Sequence, residues 1–186
     1  MNIRLARGSD AAVVGSVLQE AARWLAEAGQ PLWSAAEISP ERVQRDTDEG
    51  LFHIAWKDDQ ASNQAIGVIK IELEDVHFWP EIPPGTSVYI HKLAVRRCWA
   101  NRGVSTALLA HARMHAQQLG RDCLRLDCAA DRQKLRSLYE DFGFSLNSVD
   151  QIGAQSYARY ALPLVSSPGI EGPHTAVAVT DGTGTT

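Results

Sequence analysis

At 186 residues and 45% apolar content, the chain can bury one real core, and a single domain is the first expectation. Eighteen Lys and Arg against 22 Asp and Glu leave a formal charge of -4, which argues against a phosphate-coating surface for nucleic acid. No apolar run reaches bilayer length and the opening MNIRLARGSD lacks the apolar stretch of a secretory leader, so a cytoplasmic protein with no membrane partner is expected.

Residues 2–7 alternate apolar and polar and read as an edge strand, with Ser9 or Asp10 placed to cap the next helix. That helix carries Val14, Val17, Leu18, Ala21 and Leu25 on one face and stops at Gly29. Pro31 and Trp33 mark residues 30–35 as a loop. Ser39-Pro40 then opens a more polar helix running to about Gly50, because proline suits the first helical position. Residues 51–56 and 65–73 are strand candidates joined by the polar hinge 57–63. Pro80, Pro83 and Pro84 keep 75–85 irregular.

Residues 88–95 form a short β-branched and aromatic run that breaks at Arg96-Arg97. From Gly103 onward Val104, Leu108, Ala112 and Leu119 recur at helical spacing up to Gly120. A strand over 123–128 follows, then a helix capped by Asp131 that carries Leu135, Leu138, Tyr139 and Phe142 before Gly143. Segments 144–149 and 157–162 close the set as a strand pair. The order implies an α/β fold, a mixed sheet with helices on both faces. We therefore read 1–164 as the folded domain. Residues 165–186, rich in Gly and Thr, have the composition of a flexible tail, with Thr175 to Thr180 a short β-prone exception. Cys98, Cys123 and Cys128 form no CxxC pair, which suits reduced thiols; Cys123 and Cys128 should face opposite sides of their strand.

Strand, basic turn, glycine and helix in succession make an anion site, since a helix's first N–H groups lack intrahelical partners. Arg96, Arg97 and Arg102 add charge at that mouth. A nucleotide P-loop is disfavoured further, because Gly103-Val104-Ser105-Thr106 supplies no lysine. The alternative is an ordinary turn with solvated arginines.

Leu93-Ala94-Val95, a basic linker, Ala100-Asn101-Arg102-Gly103-Val104-Ser105 and then Thr106-Ala107-Leu108-Leu109 resemble the acetyl-CoA signature Gln/Arg-x-x-Gly-x-Gly/Ala of the GNAT superfamily of N-acetyltransferases. Ala100 and Ser105 depart from it. The resemblance spans about residues 2–163 and implies a GNAT-like fold: about seven strands, mostly antiparallel, with four helices on both faces. It further implies that main-chain N–H groups of Asn101, Arg102, Gly103, Val104, Ser105 and Thr106 hold the pyrophosphate of acetyl-CoA, while Leu93, Ala94 and Val95 pair with the pantetheine arm.

Leu138-Tyr139-Glu140-Asp141-Phe142-Gly143-Phe144 resembles the family's Leu-Tyr-x-x-x-Gly-Phe element, whose tyrosine protonates the departing thiolate. By periodicity alone Tyr139 is a core aromatic. Where many members carry asparagine seven residues earlier, this chain has Arg132, a candidate for the CoA phosphates or for no contact at all. The acceptor needs a base, because an alkylammonium of pKa about 10.4 is free amine at only about one part in 2,500 at pH 7. His91 has the intrinsic pKa and shares a face with Tyr89; a water-linked Glu72, Glu74 or Glu81 is the alternative.

His111 and His115 have metal-pair spacing but no evident third ligand, so no metal is expected. Trp33, Phe78 and Trp79 hint at an aromatic wall around the acceptor. The expected activity is transfer of acetyl from acetyl-CoA to a primary amine, directly in a ternary complex, with a small-molecule acceptor and homodimerisation left open. A protein N-terminus is the alternative acceptor, and a CoA-binding regulatory module without turnover is the competing class.

Overall fold

The computed structural model describes residues 1–57 and 64–164; the proposed tail, its β-prone segment and most of the 57–63 hinge lie outside the described residues. The elements are β1 (Asn2–Leu5), α1 (Ala11–Glu27), α2 (Pro40–Asp48), β2 (Phe52–Trp56), β3 (Ala65–Glu72), β4 (Ser87–Val95), α3 (Val104–Gln118), β5 (Cys123–Ala129), α4 (Gln133–Phe142), β6 (Ser145–Ile152) and β7 (Gln155–Pro163). They build one seven-stranded sheet in the order β1-β2-β3-β4-β5-β7-β6. Every pair is antiparallel except β4 with β5. That mixed sheet is the one anticipated, and β1 lies at its edge.

Pleat alternation divides the core. Ile69, Ile71, Ile90, Leu124, Leu126 and Tyr160 face α3 and α4, whose Leu108, Ala112 and Tyr139 complete one cluster. Phe52, Ile54 and Val68 face α1, whose Val14, Val17 and Leu18 complete the other. Burying each large aliphatic side chain contributes about 1.5–3 kcal/mol, so these two faces outweigh local propensity in fixing the fold.

Caps follow the sequence in one case and not in two others. Ser39 accepts from the Arg42 N–H at 3.2 Å and Pro40 opens α2, as its chemistry demands. Asp10 precedes α1 without capping it: its carboxylate accepts from the Arg7 N–H and pairs with Arg4 at 2.7 Å, a stronger partner than a neutral amide. Arg132, not Asp131, occupies the cap position of α4.

Two irregularities position the site. Between Val68 opposite Ala94 and Lys70 opposite His91, a bulge sets Lys92 and Leu93 against Ile69 alone. Lys92 takes φ 45, a left-handed conformation costly for a side chain that cannot bond locally. Second, β4 and β5 pair only from Ser87 opposite Cys123 to Ile90 opposite Leu126, although both strands continue. Beyond that point they splay, and among the described residues the edge of β4 from His91 to Val95 has no strand beside it on the β5 side.

Candidate active site

α3 begins where the splayed edge of β4 ends. Gly103 caps it at φ 76, and the preceding Asn101 is also left-handed at φ 59, so the chain reverses sharply and points its N–H groups forward. The Ala107 N–H reaches Gly103 O at 3.0 Å, which leaves the N–H groups of Val104, Ser105 and Thr106 ahead of the helix's own bonding pattern. A Cβ on Gly103 would meet nothing within 4 Å, so the space before the helix is open. Gly67 seats α3 from below: a Cβ there would lie 3.0 Å from both Ala94 O and Val104 Cγ1.

Of the three arginines expected to add charge at the mouth, Arg96 is taken up by an ion pair, while Arg97 and Arg102 stay exposed beside the turn. Arg96 is held by Glu20 at 2.5 Å, by Ser16 Oγ and by Ala65 O. Arg97 lies over the Trp24 ring, and Arg102 lies over Trp99. Arg96 therefore fastens β4 to α1 and is not free at the mouth.

The open end of the β4/β5 notch continues into a cavity of about 320 Å³ lined by His91, Leu93, Asp127, Cys128 and Tyr139. Tyr139 is 5% exposed and packs against Phe144 and Tyr160. It is thus both the core aromatic that periodicity indicates and a wall of the cavity. Burial, with the charges of Cys128 and Asp127, pushes its phenol above its ordinary value, so it stays protonated. Cys128 is pushed up to about 12 by burial and by Asp127 and is no nucleophile.

His91 sits in an acidic nest that the sequence shows only in part. Register places Lys70, Glu72, Tyr89, His91, Arg125, Asp127 and Arg159 on one face of the sheet. His91 Nε2 stands 3.2 Å from Glu72 Oε2 and 3.7 Å from Asp75 Oδ2, off hydrogen-bond geometry for both. Burial lowers the His91 pKa more than these carboxylates raise it, so the imidazole is neutral near pH 7. Asp127 is pushed up to about 7 by burial and then by Asp75. Ligand atoms of Asp75, His91 and Asp127 all lie within 4.8 Å of one another. Asp75 accepts the N–H groups of His77 and Phe78 on Oδ1, while its buried Oδ2 has no hydrogen-bond partner.

Asp127 and Asp75 are the residues that the sequence did not single out. The signal was present for the first: in CLRLDCA, Arg125 and Asp127 alternate with Leu124, Leu126 and Cys128, marking a polar face on an otherwise buried strand. Asp75 had no local signal, because a carboxylate in a proline-rich turn is ordinarily solvated.

Other candidates resolve differently. Glu72 pairs with Lys70, Glu81 pairs with Arg159, and Glu74 is exposed. Arg132 donates to Gln30 O at 2.9 Å and Pro31 O at 2.6 Å, so it ties down the 30–37 loop and not a phosphate. Trp33 and Phe78 line the cavity, joined by Tyr157, whereas Trp79 is buried under the Arg125 and Arg159 guanidiniums. His111 and His115 do have a third histidine: His53 of β2 lies 2.8 Å from His111, with its ring centroid 5.2 Å from that of His115. Burial and these two neighbours hold the His53 pKa down to about 4.

No helix among the described residues is long and apolar enough to cross a membrane. Residues 18–144 match the model of the "Acetyltransferase (GNAT) family". The chain is 25% identical over 152 residues to "Uncharacterized N-acetyltransferase YesJ" of Bacillus subtilis, covering 81% of this chain and 84% of that protein. Among solved structures it is similar to a GNAT-family acetyltransferase from Listeria monocytogenes, with TM-score 0.72 and 19% identity over 88% of this chain and 94% of that one. It also resembles PaiA N-acetyltransferase from Thermoplasma acidophilum in complex with coenzyme A, with TM-score 0.66 and 19% identity over 85% of this chain and 96% of that one. YncA, a putative acetyltransferase from Salmonella typhimurium solved with acetyl-CoA, gives TM-score 0.67 and 13% identity over 97% of this chain and 99% of that one.

Proposed function

Because the chain belongs to the GNAT acetyltransferase family, we propose that it moves an acetyl group from acetyl-CoA to a primary amine by direct transfer in a ternary complex. One observation carries the reading. The edge of β4 that β5 leaves unpaired runs toward the glycine-led start of α3, and His91, Leu93, Asp127 and Tyr139 line one cavity along it.

The open space before Gly103 and the splay after Ile90 fit an elongated diphosphate thioester. Main-chain N–H groups from Asn101 to Thr106 would hold its pyrophosphate, and Leu93, Ala94 and Val95 would pair with the pantetheine arm as an added strand does. The two neighbours solved with coenzyme A and acetyl-CoA support this assignment. Acetyl-CoA supplies the activated acyl group.

The chain's own residues manage protons and position. His91 and Asp127, neutral imidazole beside a carboxyl group poised near pH 7, accept the proton that an ammonium must lose before it can attack. Tyr139 donates from the opposite wall. Its raised pKa would make it a poor acid in water, but the same burial raises the basicity of a thiolate formed beside it. The cavity brings donor and acceptor together, which converts a bimolecular encounter into an oriented one.

Release of free thiol from acetyl-CoA with an amine panel tests the proposal. Amine-dependent release supports it; tight CoA binding with no release for any amine would favour the regulatory module.

A further inference from the structure

Resting on the acetyltransferase reading, we propose that the acceptor is an aromatic α-amino acid: its ammonium on Asp127 and His91, its carboxylate on Lys92, and its ring between Trp33, Phe78 and Tyr157. Three features of the cavity are otherwise without purpose.

The first is an unmatched anion. Asp75 is 6% exposed, its Oδ2 has no hydrogen-bond partner, and it backs Asp127 and His91 from behind the cavity wall. Buried carboxylates are ordinarily paired, and here Arg159 and Lys92 reach Asp127 only at longer range, so the two carboxylates have no close cation between them. N–H···O bonds of about 2.9 Å radiating from one ammonium span groups as far apart as these without any side-chain movement.

The second is a cation with no close partner. Lys92 lines the same cavity, makes no hydrogen bond or close ion pair through its side chain among the described residues, feels Glu37 and Asp46 only at longer range, and is held there by a left-handed backbone inside the bulge of β4. Strain of that kind persists where the surroundings over-determine it, commonly at a ligand. The other charged groups on the wall are already engaged. Glu37 accepts from the Ser34 N–H and hydroxyl, and Arg132 is spent on the Gln30 and Pro31 carbonyls. Lys92 and Asp127 do not pair with each other, so the cavity presents opposite charges to one ligand. A zwitterion satisfies both.

The third is the aromatic wall. Phe78 meets Tyr157 edge-on at 5.0 Å between centroids, and Asp75 fixes Phe78 by accepting its backbone N–H at 2.9 Å. The carboxylate that backs the ammonium site therefore also sets the ring that would stack on the ligand.

The test is calorimetric titration of L-phenylalanine and L-tryptophan into the CoA-loaded protein, beside phenethylamine, tryptamine, spermidine and zinc, followed by turnover of each amine. We expect the amino acids to bind, each about tenfold or more tighter than its decarboxylated amine, and Lys92→Met to collapse that ratio toward unity. Four results would overturn the assignment: no heat from either amino acid at millimolar concentration, the amine binding as tightly as the amino acid, an unchanged ratio in Lys92→Met, or spermidine outcompeting both. Stoichiometric zinc binding that is lost in Asp75→Asn would give the carboxylates to a metal instead. Turnover of some other amine without amino-acid binding would sink this inference and leave the acetyltransferase reading standing. Amino-acid binding without acetylation would keep the amino-acid site but overturn its role as acceptor, and only the absence of release with every amine would count against the acetyltransferase reading.

Discussion

Asp127 carries a carboxyl group poised near pH 7 because burial and Asp75 both oppose its charge. If it shares the accepted proton with His91, kcat/KM should rise with pH through about 7, and Asp127→Asn should displace that limb and lower the plateau by about 100-fold. A pH–rate profile of both proteins checks this, and an unmoved limb would remove Asp127 from proton transfer. Tyr139→Phe should reduce kcat by about 100-fold while CoA affinity, read by calorimetry, holds within about twofold. The two residues differed in legibility. Tyr139 stands in a run whose spacing is shared with a family, whereas Asp127 acquires its role only from neighbours such as Asp75, 52 positions away and with no sequence relation to it. The same limit explains Arg132 and Arg96. A guanidinium can be recognised in a sequence, but whether a carbonyl or a carboxylate waits for it depends on the approach of α1 and the 30–37 loop.

Helix α3 is fixed to the sheet at a close approach and starts at a sharp reversal, so its two glycines should respond differently. Gly67→Ala must push Ala94 O or Val104 apart, and should cost about 1–3 kcal/mol in denaturant unfolding. Gly103→Ala has open space around it but must hold φ 76, so about 1 kcal/mol of strain should appear, together with weaker CoA binding as the helix start relaxes. The same helix carries His111 and His115 against His53. His53 is held down to about 4 in the folded protein against 6.5 ordinarily, so the unfolded chain takes up its proton first as pH falls. Its contribution to stability is whole above about 6.5 and is lost toward pH 4; urea midpoints should fall across that window, and His53→Leu should flatten the fall. At this scale the sequence was informative about periodicity and poor about caps. Spacing placed every helix; Asp10 holds the expected position before α1 but spends its carboxylate on Arg4 and Arg7, and Arg132 takes the place expected of Asp131 at the start of α4.

Across the whole molecule, the sheet is apolar on both faces except where the helices α1 and α2 give way to the 73–86 segment. There that face of β3, β4, β5 and β7 carries a largely buried layer of polar and charged residues, with Trp79 packed against the Arg125 and Arg159 guanidiniums. The element order, the mixed sheet and the four helices followed from alternation and chain order; the order of strands within the sheet and the splay after Ile90 did not, because nothing in VYIHKLAV marks which neighbour it takes or the residue at which that neighbour leaves. That splay is the feature on which the functional reading depends. Hydrogen–deuterium exchange with and without acetyl-CoA tests it most directly. The account predicts slowed exchange at the amides of Leu93 to Val95 and of Val104 to Thr106, with little change on the outer strands β1 and β6. Binding that protects some other surface, or no protection at millimolar acetyl-CoA, would contradict it.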